Sequence, residues 1–170
     1  MPVTALLPDP FLRPPVKIRV VAFGQRMPAW VRAGWEDYAR RLPREWPLEL
    51  IELKPSPREQ GRTVPQMLAL EAERARTACA GARVIALDEH GAAWTTRKLA
   101  DALDTMAAER EGVAFVIGSA DGLDPTFKRS AAAVVALSAL TLPHALVRIL
   151  LVEQLYRAAS LHAGHPYHRE

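Results

Sequence analysis

From Ala145 to Leu161 the chain is apolar almost without a break, and no other stretch limits the fold so tightly. Pro143 suits the first turn of a helix, and Gly164 suits its end. Wound as a helix, the stretch leaves one polar strip, Glu153, Gln154 and Arg157, with Glu153 four residues ahead of Arg157 in the favourable order. A helix apolar nearly all round must be covered on more than one side. Its own sheet can cover one side, and a second copy of the chain is the simplest cover for another. Beyond Gly164 the chain closes on His165-Pro166-Tyr167-His168-Arg169-Glu170, side chains capable of chemistry. A frayed polar end accounts for these residues equally well.

The remainder alternates short β-branched runs with helical segments. Strands are predicted at Lys17–Phe23, Leu48–Leu53, Arg83–Leu87, Val113–Ile117 and Ala133–Leu137. The Leu-Glu alternation of the second reads as a half-exposed edge. VAFVI, the fourth, reads as a central strand buried on both faces. Helices are predicted from Pro28 to about Leu42, Thr63 to about Ala80, Thr95 or Thr96 to about Glu109, and Asp124 to Ala131. In the second of these, Met67, Leu68 and Leu70 form the apolar side, and Glu71, Glu73, Arg74 and Arg76 the solvated one. Lys54–Arg62 reads as a mobile loop and Asp88–Gly91 as a solvated turn. This order predicts an α/β fold, a mostly parallel sheet flanked by helices, in one domain from residue 17 to 170. Residues 1–16 read as a flexible, proline-rich extension rather than a secretory signal.

Composition narrows the class only slightly. An apolar fraction of 49% and a charged fraction of 24% suit a soluble globule with a cytoplasmic setting. No apolar run reaches the roughly 18 residues of a membrane span. The single Cys79 excludes an internal disulfide and a thiolate metal cage, and its context is that of a packing residue. The net charge is +3, and all but four of the 22 basic residues are arginine. That bias suits phosphate contacts, and a GC-rich genome would produce it too.

Ligands of open parallel sheets sit beyond the carboxyl ends of the strands. Three loops leave such ends late in the chain: Leu87–Gly91, Gly118–Asp124 and Ser138–Pro143. They meet if their strands are neighbours. Neither a G-x-G-x-x-G fingerprint nor a P-loop occurs, and the loops lack lysine, so a nucleoside triphosphate is a poor fit. An apolar cleft rich in backbone donors suits an adenosine or thioether ligand better. Gly118 and Gly122 equally suit an ordinary strand-to-helix turn, and Ser138 and Thr141 equally suit helix caps. His144 and His162 read as hydrogen-bonded structural residues, and no metal site is expected.

Several of these segments together carry a resemblance. LSALTLPHALVRILLVEQLYRA followed by HPYHRE is similar to the C-terminal signature of the RlmH family, SPOUT-type methyltransferases of large-subunit ribosomal RNA. KIRVVAFGQRMPAWV, the strand LELIE, Ala86-Leu87-Asp88 and FVIGSADGL follow the family order, so the likeness covers nearly the whole chain from Lys17. It implies a SPOUT fold with a C-terminal trefoil knot and S-adenosyl-L-methionine, without metal, as methyl donor. By the same resemblance Leu87, Gly118, Ser119, Ser138, Ala139, Leu140, Thr141, Leu142 and Pro143 bind the donor. It further implies a homodimer acting on ribosomal RNA within the assembled ribosome, at N3 of a pseudouridine. Tyr167, His168 and Arg169 of one copy would then reach the other copy's pocket as catalytic residues. Where this chain has Ser119 the family motif usually has a second glycine, and a side chain there would crowd the donor or require a different backbone angle. Other readings are a SPOUT enzyme acting on transfer RNA, a non-catalytic ribosome-binding factor, and an unknotted nucleotide-binding protein.

Overall fold

The structure, a computed structural model, describes residues 15–58 and 61–168, with the backbone alone for His168. Most of the expected extension, residues 1–14, lies outside the described residues, as do Arg169 and Glu170. Val16, at the edge of that extension, is buried, and its N–H donates to the Glu45 carbonyl.

Five strands, β1 (Ile18–Phe23), β2 (Leu48–Leu53), β3 (Ala82–Ala93), β4 (Gly112–Ile117) and β5 (Ala133–Ala136), form one sheet. The order is β2-β1-β4-β3-β5, and every neighbouring pair is parallel. The helices are α1 (Ala29–Ala39), α2 (Val64–Ala78), α3 (Thr96–Ala108), α4 (Pro125–Ser130) and α5 (His144–His162). A 3-10 turn over Pro166–His168 follows Gly164, which ends α5 at φ +64°.

The period-2 pattern of the strands sorts the core into two layers. Ile18, Val20, Ile85 and Phe115 face a cluster completed by Trp35 of α1, Leu99 and Leu103 of α3, and Leu151 and Leu155 of α5. Val21, Phe23, Ala86, Ala114 and Val116 face the other way, onto Ala72 and Ala75 of α2 and Phe127 of α4. Cys79 is buried in this second layer, where burial pushes its thiol up to about 11, so it is an inert packing residue. As the sequence predicts, β4 is central and buried, and β2 is a half-exposed edge.

Two expectations for α2 are overturned. Leu70 is exposed, whereas Glu71 is buried, with one carboxylate oxygen accepting the Ser56 N–H at 2.7 Å. The supposed loop of residues 54–62 is therefore anchored at its base. α2 itself begins with the expected Thr63, in a reciprocal capping box with Gln66.

A third correction concerns Asp88–Gly91. The strand does not end at the expected turn but runs on to Ala93. Residues 88–91 leave the ladder and return, because Val135 of β5 stands opposite both Leu87 and Ala92. Gly91 permits the return: a Cβ on it would lie 2.6 Å from the Val135 backbone.

Candidate active site at the carboxyl ends of three strands

Because β4, β3 and β5 are consecutive in the sheet, the three loops suspected from sequence converge. They enclose a cleft of about 510 Å³. Leu87, Ile117, Val135, Leu137, Leu142 and Val147 give it apolar walls. Gly118, Ser119, Ser138, Leu140 and Thr141 also line it, so seven of the nine expected donor-binding residues are together. Ala139 and Pro143 are exposed and stand outside the lining.

Each loop has a local reason for its shape. β4 runs into a tight reversal in which the Gly122 N–H donates to the Ser119 carbonyl at 2.9 Å. Gly118 faces that reversal so closely that a Cβ would lie 2.5 Å from the Gly122 oxygen, and Gly122 has φ +87°. Ser119 needs no special angle. Arg110 is the sole non-glycine residue with positive φ among the described residues. The glycine requirement thus falls on Gly118 and Gly122, either side of Ser119. After β5, Ser138 Oγ accepts the Leu140 N–H at 2.9 Å and shapes the loop. Thr141 Oγ1 donates to Glu89 Oε2 at 2.6 Å. Neither residue caps α5, whose N-terminus has no side-chain cap.

Asp88, Glu89 and His90, read from sequence as a solvated turn, line the cleft, with Glu89 and His90 exposed as expected. So does Lys128 of α4, a lysine that the loops themselves lack. Its Nζ donates to Asp88 Oδ2 at 2.7 Å. Burial works to raise the Asp88 pKa, but Lys128 and the His90 N–H outweigh it and leave the carboxyl below its ordinary value. His144 lines the cleft from the first turn of α5. Burial lowers its pKa and the Arg148 charge adds to this, while a hydrogen bond with the Ser119 backbone offsets part of the fall. A neutral imidazole at pH 7 follows. The rim thus brings acidic and basic side chains to an apolar cleft able to hold a small amphipathic ligand.

A family model described as predicted SPOUT methyltransferase matches residues 16–168. The chain belongs to this family. A Nitrosospira multiformis protein named ribosomal RNA large subunit methyltransferase H is 52% identical over 155 residues, 91% of this chain and 99% of its own. A Variovorax paradoxus protein of the same name is 53% identical over 156 residues, 91% of this chain and the whole of its own. The RlmH resemblance seen in the sequence therefore holds. Solved structures share the fold at lower identity. A probable methyltransferase from Bordetella pertussis Tohama I superposes with a TM-score of 0.54 at 19% identity, covering 88% of this chain and 96% of its own. A probable methylase family protein from Haemophilus influenzae Rd KW20 gives 0.55 at 15% identity, covering 90% and 70%.

In this SPOUT chain the described part of the tail, His165 to Tyr167, does not line its own cleft. Tyr167 lies against the later half of α5, its ring 4.7 Å from that of Tyr156 and 4.8 Å from the Arg157 guanidinium. Its hydroxyl is 3.1 Å from Glu153 Oε1 and 3.4 Å from the Tyr38 hydroxyl. Burial raises its pKa, and those two neighbours raise it further, so the phenol stays protonated. Tyr167 is thus a stacking and hydrogen-bonding group. Glu153 and Arg157 form the expected i,i+4 pair at 2.8 Å. The cleft meets α5 at His144 and Val147, about 13 Å of helix before Tyr156. His168 follows Tyr167 in the 3-10 turn, and Arg169 lies outside the described residues.

Proposed function

We propose that this SPOUT-family chain is an S-adenosyl-L-methionine-dependent methyltransferase of large-subunit ribosomal RNA. Its target is N3 of a pseudouridine in 23S rRNA, and it acts in the cytoplasm on the assembled ribosome. The observation that carries this is the cleft where the excursion in β3 meets the loops after β4 and β5, in a chain about half identical to proteins named ribosomal RNA large subunit methyltransferase H over nearly their full length. The cleft's size and character fit the donor. Apolar walls suit a purine, a chain of backbone groups suits its edge and ribose, and charged side chains at the rim suit an amino-acid end. The trefoil knot that the resemblance implies belongs to the same reading.

When bound, the donor supplies an electrophilic methyl carbon on a sulfonium. This chain's part is to hold the donor and the base in line and to deal with one proton. Methylation at N3 would exchange the N3–H bond for an N–CH3 bond, with the S–CH3 bond broken and a neutral thioether left, and His168 would take the proton directly or through a water. Arg169 holds an RNA phosphate or a base edge, and Tyr167 orients the tail by stacking.

Two copies complete the site. Trp30 of α1 is 55% exposed, and Leu146 and Leu150 of α5 are exposed as well, three large apolar side chains on packed neighbouring helices. A second copy covers them, and its tail reaches this copy's cleft. The preformed ribosomal site then supplies much of the contact surface, and naked RNA is a poor substrate. Mass mapping of 23S rRNA from cells with and without the gene tests the reading. The expected result is one pseudouridine lighter by a methyl group in the deletion strain. An identical modification map contradicts it.

A further inference from the structure

The loop after β2 carries a feature that the donor site does not itself require. At its base Arg74 donates to the Lys54 carbonyl at 2.5 Å and to Ser56 Oγ at 2.7 Å, while the buried Glu71 accepts from Ser56 N–H. Burying a carboxylate is costly, and this one is kept where it fixes a surface loop. From that anchored base Arg58 reaches to the reversal after β4. One guanidinium nitrogen donates to both carboxylate oxygens of Asp121, at 2.9 and 3.0 Å. Asp121 sits inside the Ser119–Gly122 reversal and lines the cleft. The contact reaches across β1, which lies between the edge strand β2 and β4.

We propose that Arg58 is a positioning residue, which holds the Gly118–Leu123 loop in its donor-binding shape through Asp121. This rests on the methyl-donor reading of the cleft. The Arg58 side chain is 70% exposed and that of Asp121 27%, so the pair adds little to global stability. Its effect is local. Without Arg58 the reversal opens more often, and the donor must order it on binding.

Five forms of the whole protein test this: Arg58→Ala, Arg58→Lys, Arg58→Asp, Asp121→Arg, and the last two combined. In the free protein, amide hydrogen exchange across residues 118–123 is expected to quicken by about fivefold in Arg58→Ala, the scale of an exposed ion pair. Calorimetry with S-adenosylmethionine is expected to show about fivefold weaker binding. The rate at saturating donor and the melting temperature stay unchanged. Arg58→Lys and the charge-swapped pair recover part of the loss. Unchanged exchange in Arg58→Ala overturns the inference, and so does a charge-swapped pair no better than the sum of its single changes. The exchange arm needs no ligand. A wild type that gives no heat with the donor overturns the reading of the cleft and the binding half of this proposal, whereas exchange still judges the contact.

Discussion

Removing residues 167–170 is expected to abolish methyl transfer to ribosomes while changing donor affinity by less than about twofold. The cleft is lined by residues from Leu87 to Val147 and by none of the described tail residues. If the tail works as proposed, the truncation takes away the proton acceptor, the phosphate fork and the ring that orients them. General-base removal alone lowers rates by about 10²–10⁴, and lost positioning adds to that. The fold should tolerate the change, because Tyr167 packs on the outside of the Tyr38 and Tyr156 cluster rather than in either core layer. Mixing makes the test sharper. A truncated copy keeps its cleft, and a full-length Gly118→Val copy keeps its tail. Mixed dimers should regain activity, since one composite site remains whole. A mixture as inactive as its components would show that each tail serves its own cleft, and full activity of the truncation would end the assignment.

Arg148→Met is expected to destabilise the chain by about 3 kcal/mol, read as a fall in melting temperature of roughly 6–12 °C. Arg148 is the largest of the fully buried side chains among the described residues, 1% exposed. Its Nη1 donates to Glu52 Oε1 at 2.6 Å and its Nη2 to the Gly24 carbonyl at 2.6 Å. It thereby fastens the first turns of α5 to the carboxyl ends of β1 and β2. Methionine fills much of the same volume, so the loss is of polar pairing rather than packing. Glu52 keeps partial access to water, which moderates the cost, while the Gly24 carbonyl loses a donor. Adding Glu52→Gln to Arg148→Met should cost less than the two single changes together. Donor binding should weaken as well, because His144 and Val147, one turn and one residue earlier, form part of the cleft wall. A melting temperature within about 2 °C of wild type would contradict this role.

Much of the fold is legible in the sequence because its parts are local. Val113–Ile117 announces a buried central strand by being wholly apolar, and Leu48–Leu53 announces an edge by alternating. Thr63 and Thr95 announce helix starts, and each accepts a hydrogen bond from the backbone three residues on. The parallel-sheet rule also selects three loops that do meet, although the order β2-β1-β4-β3-β5 that brings them together is set by tertiary packing. The misses share that origin. Asp88–Gly91 looks like a turn because polar residues and a glycine usually make one. What marks the site is the approach of Gly91 to the backbone of Val135, far along the chain, and no local pattern encodes it. Glu71 carries a charge that predicts solvent, and only its partner Ser56 explains its burial. Lys128 escapes notice, and His144 reads as merely structural, because each reaches the cleft from a helix rather than from one of the three loops. A knot is a property of the whole chain path, to which local periodicity is blind.

Calorimetric titration of the purified wild-type chain with S-adenosylmethionine tests the central claim most directly. Saturable binding at the cleft is the expected result. That binding should be lost in Gly118→Val, where even the Cβ would stand 2.5 Å from the Gly122 oxygen, with the variant's folding confirmed by its urea midpoint. A folded wild type that releases no heat, or a folded Gly118→Val protein that binds the donor as tightly as wild type, would contradict the claim.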